Sequence, residues 1–268
     1  MAFDSILLVG CGNMAGAMLQ GWLAGGMEPG RFTVADPAPR ELPQGVQALS
    51  AIPVEGDFEA ILIGVKPQML GDVAAQVEPL AGPRTLLMSI LAGVELGTLA
   101  QRFPRASGLL RVMPNLAAAL GKSPMALAQR GLDDAGCAAA FALMQPLGTP
   151  EWIDESEFDL VTALAGSGPA FVYRFIDALA SAAAELGLPA ETAARLALAM
   201  VEGAAALAAQ SDVGPAELAR RVASPGGTTQ AGLDVLDEDD RLRQLLRDTL
   251  RAARDRSAEM AAEARAKG

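Results

Sequence analysis

The sequence predicts an α/β N-terminal domain with a doubly wound parallel sheet, followed by an all-α C-terminal domain. In residues 1–150, short apolar runs bounded by glycine, proline or aspartate alternate with helical segments, which is typical of parallel strands covered on both faces. From about Glu155 onward the strand-like runs stop and alanine-rich helical segments follow. A chain of 268 residues suits about two domains. We therefore expect domains of residues 1–150 and 151–268.

The predicted elements follow the chain in that order. The strands are Ser5–Val9, Phe32–Ala35, Ala60–Val65, Thr85–Ile90 and Leu109–Met113. Helices between them include Met14–Ala24, Leu70–Leu80 and Leu96–Arg102. The C-terminal helices are Phe158–Ala165, Pro169–Leu186, Pro189–Ala209, Pro215–Val222 and Arg241–Arg265. This alternation predicts βαβ units in the first half only.

Composition excludes several classes of chemistry. The net charge is −11, and an acidic chain argues against a nucleic-acid partner because phosphate binding depends on basic patches. The absence of histidine removes Ser-His-Asp and Cys-His mechanisms and the commonest metal ligand. Cys11 and Cys137 are too few for a zinc site or a disulfide framework, which predicts no metal and a reducing cytoplasm.

One uncharged stretch, from Ile6 to Met27, is long enough for a membrane span or a signal sequence. It contains several glycines, and Asp4 precedes it where a signal peptide carries positive charge. We therefore interpret it as part of a soluble domain and predict no membrane partner.

A glycine-rich loop follows the first strand and opens a helix. Gly10 permits a tight turn, and Gly12 lets the backbone approach a pyrophosphate whose charge lies at the helix N-terminus. The strict Gly-x-Gly-x-x-Gly pattern would need glycine at Ala15. The alternative is a turn kept for strand–helix packing. Its position in a βαβ unit favours dinucleotide binding by the residues Gly10, Cys11, Gly12, Asn13 and Met14.

Asp36 ends the second strand, close to where an acidic residue contacts the adenosine ribose of a dinucleotide. Such a carboxylate favours NADH and repels a 2′-phosphate. Arg40 could instead bind that phosphate, and Asp36 could merely cap a turn. The choice between NADH and NADPH therefore stays open.

Two more loops are expected at the carboxyl edge of the sheet, where open α/β folds bind ligands. The first is Gly64-Val65-Lys66-Pro67, in which Lys66 either faces the cofactor phosphates or is solvated. The second is Ser89-Ile90-Leu91-Ala92-Gly93, which would form the neighbouring wall. Arg111–Asn115 ends the last predicted strand.

Two Gly/Ser/Pro clusters interrupt the helical half, at residues 164–171 and 224–229. Each glycine costs a helix about 1 kcal/mol relative to alanine, so this density of turn residues needs a reason, and a binding site is one such reason. The amides of Gly226 and Gly227 and the Ser224 hydroxyl can hold a carboxylate at a helix start. The alternative is an interhelix turn capped by Ser or Thr.

Five motifs occur here in the order and rough spacing of the pyrroline-5-carboxylate reductase family, which the chain resembles up to about Arg256. They are Val-Lys-Pro, Ser-x-x-Ala-Gly-Val, Met-Pro-Asn, Gly-Ser-Gly-Pro-Ala and Ser-Pro-Gly-Gly-Thr-Thr. The resemblance implies reduction of 1-pyrroline-5-carboxylate to L-proline by NADPH or NADH. It also implies a helical domain that forms an interlocked dimer, in some members further assembled into a decamer.

The resemblance assigns roles to residues. Cofactor contacts would come from a Rossmann domain, through Gly10–Met14, Gly64, Val65, Lys66, Pro67, Ile90, Leu91 and Ala92. Asp36 joins this list from its position after the second strand, not from the resemblance. Substrate contacts would come from Ser224, Gly226, Gly227, Thr228, Thr229 and Glu155. Thr229 would hydrogen-bond the imine nitrogen and is the catalytic candidate, with positioning and electrostatics contributing more than a strong general acid.

The chain departs from the family pattern at two places. Ala165 replaces the first serine of Ser-Gly-Ser-Gly-Pro-Ala, and Leu116-Ala117 stands where Thr-Pro is usual. These changes remove one hydroxyl near the site and alter the loop beside the nicotinamide. Neither removes a group on which the mechanism depends.

Three alternative functions stay open. The first is reduction of another cyclic imino acid, such as the six-membered piperideine. The second is a β-hydroxyacid dehydrogenase, which would need a lysine on a C-terminal helix, although Lys267 is the only lysine after Lys122. The third is a non-catalytic NAD(P)-binding regulatory protein.

The segment Ala170–Ala209 is apolar on most faces, with sparse charges. Such helices must be buried on most faces, and one helical layer offers too little interior. This predicts an oligomer interface, with a tight monomeric bundle as the alternative.

Overall fold

A computed structural model describes residues 3–38 and 41–267, and side chains as far as residue 263. The described chain forms two compact units. The first contains the residues up to Gly166 together with those from Ala253 onward, and the second is Ser167–Ala252. The division thus follows Gly166, and the end of the last helix belongs to the first unit.

The first unit is built on an eight-stranded sheet with the order β3-β2-β1-β4-β5-β6-β7-β8. Neighbouring strands are parallel except for the antiparallel pair β6–β7. The strands are β1 Ile6–Val9, β2 Phe32–Ala35, β3 Gln47–Leu49, β4 Ala60–Ile63, β5 Leu86–Ser89, β6 Gly108–Met113, β7 Ser123–Arg130 and β8 Gly148–Trp152. The five predicted strands are confirmed, and β3, β7 and β8 are additional.

Helices cover both faces of this sheet. They are α1 Asn13–Ala24, α2 Leu70–Val77, α3 Leu96–Arg102, α4 Asp134–Met144 and α5 Phe158–Val161, the last followed by a π-helical turn, Thr162–Gly166. Alternate side chains of β1 enter opposite cores, with Ile6 and Leu8 on one face and Leu7 and Val9 on the other. All four are buried, as an apolar run in a doubly covered parallel sheet requires.

The uncharged stretch from Ile6 to Met27 forms β1 and α1, and both pack into the core of the first unit. Trp22, near the end of α1, is fully buried and donates its indole N–H to the Leu143 carbonyl at 2.7 Å. This stretch is therefore part of the packed core of the first unit.

The second unit is entirely helical. It contains α6 Gly168–Glu185, α7 Ala190–Ala209, α8 Pro215–Val222, α9 Thr228–Asp237 and the start of α10 Arg241–Lys267. Within the part of the chain that the structure describes, α7 is long and apolar enough, by length and composition alone, to cross a membrane. Of its residues, Ala193 and Ala197 are buried.

Large apolar side chains are exposed along α6 and α7. They are Val172, Tyr173, Phe175, Leu179, Leu196, Leu198, Met200 and Leu207. Exposed apolar surface of this extent is typical of an interaction face.

Candidate functional site

The glycine loop after β1 and the loop after β4 meet at the point where the strand order reverses. Gly10 has a φ of +82°, and a Cβ there would lie 2.8 Å from Val65 Cγ1. A Cβ at Gly64 would lie 2.8 Å from the Gly10 carbonyl oxygen and 2.9 Å from Ala15 Cβ. Both positions therefore require glycine, and Ala15 occupies the space that a larger residue at position 64 would need.

The start of α1 fits a dinucleotide pyrophosphate. Its N-cap residue is Gly12, which has no side chain to cover the first amides of the helix. A Cβ at Gly12 would meet no described atom within 4 Å, so this side of the loop faces open space. A helix N-terminus approached over bare glycine favours a bound anion.

Asp36 is tied to this loop through both carboxylate oxygens. Oδ2 accepts the Cys11 amide at 2.7 Å, and Oδ1 accepts the Ala38 amide at 2.9 Å. Asp36 therefore caps a turn and also fixes the glycine loop beside the end of β2. Arg40, the alternative contact for a 2′-phosphate, lies outside the described residues.

A cleft of about 310 Å³ lies beside α1. It is bordered by Asn13 and Gln20 on the helix and by Leu42 and Leu116 from two flanking loops. Cys11 and Asn13 of the glycine loop thus lie at its edge, so the predicted cofactor loop opens into a concave surface.

The two other predicted cofactor loops also lie at the carboxyl ends of strands. Lys66 is exposed and precedes a short 3-10 turn that begins at Pro67. In the loop after β5, the Leu91 amide donates to Ser89 Oγ at 3.2 Å, and Leu91 is buried. The neighbouring Ala92 is exposed.

Asn115, at the end of the Met-Pro-Asn motif, joins β6 to the π-helical turn. Its Nδ2 donates to the Ala165 carbonyl at 3.0 Å, and its Oδ1 accepts the Ala117 amide at 2.9 Å. The partner at position 165 is a backbone carbonyl, so this contact does not need the serine that family members usually have there. Leu116 is more than half exposed in the same loop.

Glu155 lies just before α5, and its Oε1 has two described donors. Arg111 Nη1 approaches it at 3.0 Å, and the Leu96 amide at 2.7 Å. Asp154 accepts the Ser156 amide, and this bond lowers the pKa of the Asp154 carboxyl. Glu155 is thus held in a fixed turn of the first unit.

The Ser224–Thr229 turn lies in the second unit and ends in the first turn of α9. Gly226 has a φ of +71°, and the Gly227 amide donates to the Ser224 carbonyl at 2.9 Å. The N-cap residue of α9 is Gly227, which has no side chain to cover the helix amides. Ser224 and Thr229 are exposed beside it, so hydroxyls flank an uncovered helix start.

Relatives of known family match nearly the whole chain. It is 35% identical to the pyrroline-5-carboxylate reductase of Pseudomonas aeruginosa, over 97% of this chain and 98% of that protein. The chain belongs to the pyrroline-5-carboxylate reductase family. A second relative, pyrroline-5-carboxylate reductase 2 of Bacillus subtilis, is 34% identical over 94% of this chain and 93% of its own length.

Family models and solved structures agree with this membership. Residues 155–260 match a model described as pyrroline-5-carboxylate reductase dimerisation, and residues 5–93 match one described as NADP oxidoreductase coenzyme F420-dependent. A pyrroline-5-carboxylate reductase from Coxiella burnetii has a TM-score of 0.88 at 28% identity, covering 96% of this chain and 98% of that one. The predicted fold class, a Rossmann-like domain with a helical C-terminal domain, is confirmed.

Two alanine substitutions in the glycine loop should separate folding from cofactor binding in this reductase. Gly10→Ala should lower both the thermal unfolding temperature and NAD(P)H affinity, because its Cβ meets Val65 at an unfavourable φ. Gly12→Ala should leave unfolding of the free protein nearly unchanged and weaken cofactor binding about tenfold, because it adds a methyl only where the pyrophosphate approaches. Differential scanning fluorimetry and fluorescence titration with NADH and NADPH measure the two quantities. If Gly12→Ala binds each cofactor as tightly as the unchanged protein does, this assignment is wrong.

Proposed function

We propose that this member of the family catalyses the NAD(P)H-dependent reduction of 1-pyrroline-5-carboxylate to L-proline in proline biosynthesis. The observation that carries the proposal is the start of α9, where no side chain caps the first helical amides and the hydroxyl-bearing residues Ser224 and Thr229 are exposed. A cyclic imino acid needs both parts of this arrangement, an anion site for its carboxylate and a donor near its nitrogen.

The substrate carboxylate is held by the Gly226 amide, the first amides of α9 and the Ser224 hydroxyl. The Gly227 amide donates to the Ser224 carbonyl instead, so Gly227 contributes by having no side chain over the helix start. The dipole of α9 adds a favourable potential for an anion at this end of the helix. Thr228 completes the first turn, and the Thr229 hydroxyl donates to the imine nitrogen. The chain contains no histidine, so orientation and stabilisation of charge at nitrogen contribute more than a strong general acid.

When bound, NAD(P)H would supply the hydride for the new C–H bond at C5. The π electron pair of the C=N bond stays on nitrogen, which takes up the second hydrogen of the product as a proton from water. In the first unit, the Gly10–Met14 loop holds the pyrophosphate at the start of α1. The Gly64–Pro67 loop lines the adjoining edge of the sheet, with Lys66 near the phosphates. Ile90, Leu91 and Ala92 form the wall beside the nicotinamide.

The proposed activity is tested by following NADH and NADPH oxidation with purified protein at matched cofactor concentrations. Turnover that depends on 1-pyrroline-5-carboxylate and yields proline supports the proposal. Faster turnover with the six-membered piperideine carboxylate would instead assign another cyclic imino acid. Cofactor binding without turnover on either imine would favour a non-catalytic regulatory role.

Asp36 should govern the choice between the two cofactors. Asp36→Asn retains an oxygen acceptor for one loop amide but removes the negative charge that a 2′-phosphate would meet. We expect the kcat/KM ratio of NADPH to NADH to rise about tenfold, which corresponds to about 1.4 kcal/mol of lost repulsion. Steady-state kinetics with each cofactor measure the ratio. An unchanged ratio would restrict Asp36 to capping its turn.

We infer a cytoplasmic homodimer as the working form, with no nucleic-acid or membrane partner. The exposed apolar faces of α6 and α7 lie within residues 155–260, the segment that matches the dimerisation model. A second copy of this chain presents the same apolar faces, so it is the partner that we propose for them. Assembly of dimers into a decamer is a further step of this proposal, and light scattering measures both masses.

A further inference from the structure

Arg111, in β6, is a buried charge on the strand that pairs with β5, after which the proposed nicotinamide wall begins. Its backbone pairs with Ser89, the residue from which the loop after β5 starts. The Arg111 side chain is 8% exposed, and its guanidinium carbon lies 4.3 Å from the centre of the Phe158 ring. A charge buried to this extent needs a counter-charge, and Glu155 supplies it at 3.0 Å.

The Glu155 oxygen that accepts the hydrogen bond from Arg111 also accepts one from the far end of the loop after β5. Glu155 Oε1 accepts the amide of Leu96, the first residue of α3, at 2.7 Å. A carboxylate at a helix N-terminus is favourable, so this contact stabilises the start of α3. One carboxylate therefore connects β6 to the place where the Ser89–Leu96 segment re-enters regular structure.

Other contacts fix the same segment as well. At its start, the Leu91 amide donates to Ser89 Oγ. In its middle, a Cβ on Gly93 would lie 3.2 Å from Ala261 Cα, so the backbone of α10 packs directly on this glycine. Glu155 is thus a charged anchor of this segment.

We propose that Glu155, together with Arg111, is a positioning residue that sets the Ile90–Ala92 wall for the cofactor. This inference rests on the proposed function of that wall. It assigns Glu155 to the cofactor side of the reaction, whereas the family resemblance suggests a substrate contact. The two roles predict changes in different kinetic constants.

Glu155→Gln tests the proposal because it keeps the shape and an oxygen acceptor but removes the counter-charge of Arg111. We expect Kd and KM for the cofactor to rise about tenfold, with less than a twofold change in KM for 1-pyrroline-5-carboxylate. The double variant Arg111→Met with Glu155→Gln removes both charges and should recover part of the cofactor affinity, since no unpaired charge remains.

Cofactor Kd is measured by fluorescence titration without substrate, so it can be read even if the proposed imine is not turned over. If Glu155→Gln binds the cofactor with normal affinity, the positioning role is wrong, whether or not the proposed imine is turned over. A rise in imine KM with unchanged cofactor Kd would also overturn it and would place Glu155 at the substrate. If Glu155→Gln is insoluble, Arg111→Lys serves, because it keeps the charge and loses the guanidinium geometry. Unchanged cofactor Kd in Arg111→Lys would equally contradict the proposal.

Discussion

Replacing Thr229 by valine should lower kcat/KM for 1-pyrroline-5-carboxylate about 10- to 100-fold, because a hydrogen bond of this kind contributes about 1–3 kcal/mol. Thr229 is exposed in the first turn of α9, two residues after the N-cap Gly227. Valine is also β-branched and nearly the same size, so the helix start should be preserved while the donor to the imine nitrogen is lost.

Two controls make this result specific. Thr229→Ser restores the hydroxyl and should recover most of the activity, and cofactor Kd should stay unchanged in both variants. Steady-state kinetics with the imine varied at saturating cofactor give kcat/KM. Activity of Thr229→Val within about twofold of the unchanged protein would show that the donor lies elsewhere.

The central strands of the fold were predictable because they are buried on both faces. β1 and β4 are continuous apolar runs followed by glycine, and their packing requires both features. β7 and β8 lie at one end of the sheet and are partly exposed, so their sequences mix polar and apolar residues. Periodicity alone does not separate such strands from loops.

The contacts of Glu155 were not predictable from local sequence, because they are long-range. Arg111 is 44 residues away and Leu96 is 59 residues away. One signal was available: Arg111 is a charged residue within the apolar run Leu109–Met113. A charge inside a buried strand implies a buried partner, although the sequence does not say which carboxylate it is.

Asp36 illustrates an expectation of which the structure confirms one part, the turn cap, while its contact with the ribose stays a prediction. Its position at the end of β2 indicated a residue near the adenosine ribose, or else a turn cap. The structure adds a bond to the Cys11 amide, which depends on two loops meeting after separate strands. Only the topology of the sheet brings these two loops together. The bond between Asp36 and the Cys11 amide therefore cannot be predicted from a local sequence pattern.

A glutamate on the exposed face of α7 should separate the proposed dimer into monomers. Leu196, Met200, Gly203 and Leu207 follow one another at helical spacing along a single stripe. All four are exposed within the second unit, with Leu207 at 71%. The buried residues of α7 are Ala193 and Ala197, so this stripe is an exposed apolar surface that α7 offers to a partner.

Leu196→Glu would bury a charge at that interface, at a cost of several kcal/mol. We expect its dimer Kd to rise by at least about 100-fold, since each 1.4 kcal/mol is about tenfold, and the unfolding temperature to fall. Sedimentation equilibrium over a range of concentrations measures the mass. Val54→Glu is the matched control, because Val54 is 93% exposed in the first unit and outside the dimerisation segment, so this variant should stay dimeric. If the Leu196→Glu protein is as dimeric as this control, the stripe on α7 is not the dimer surface. Tyr173 and Phe175 of α6 would then be the next positions to change, because both are at least half exposed.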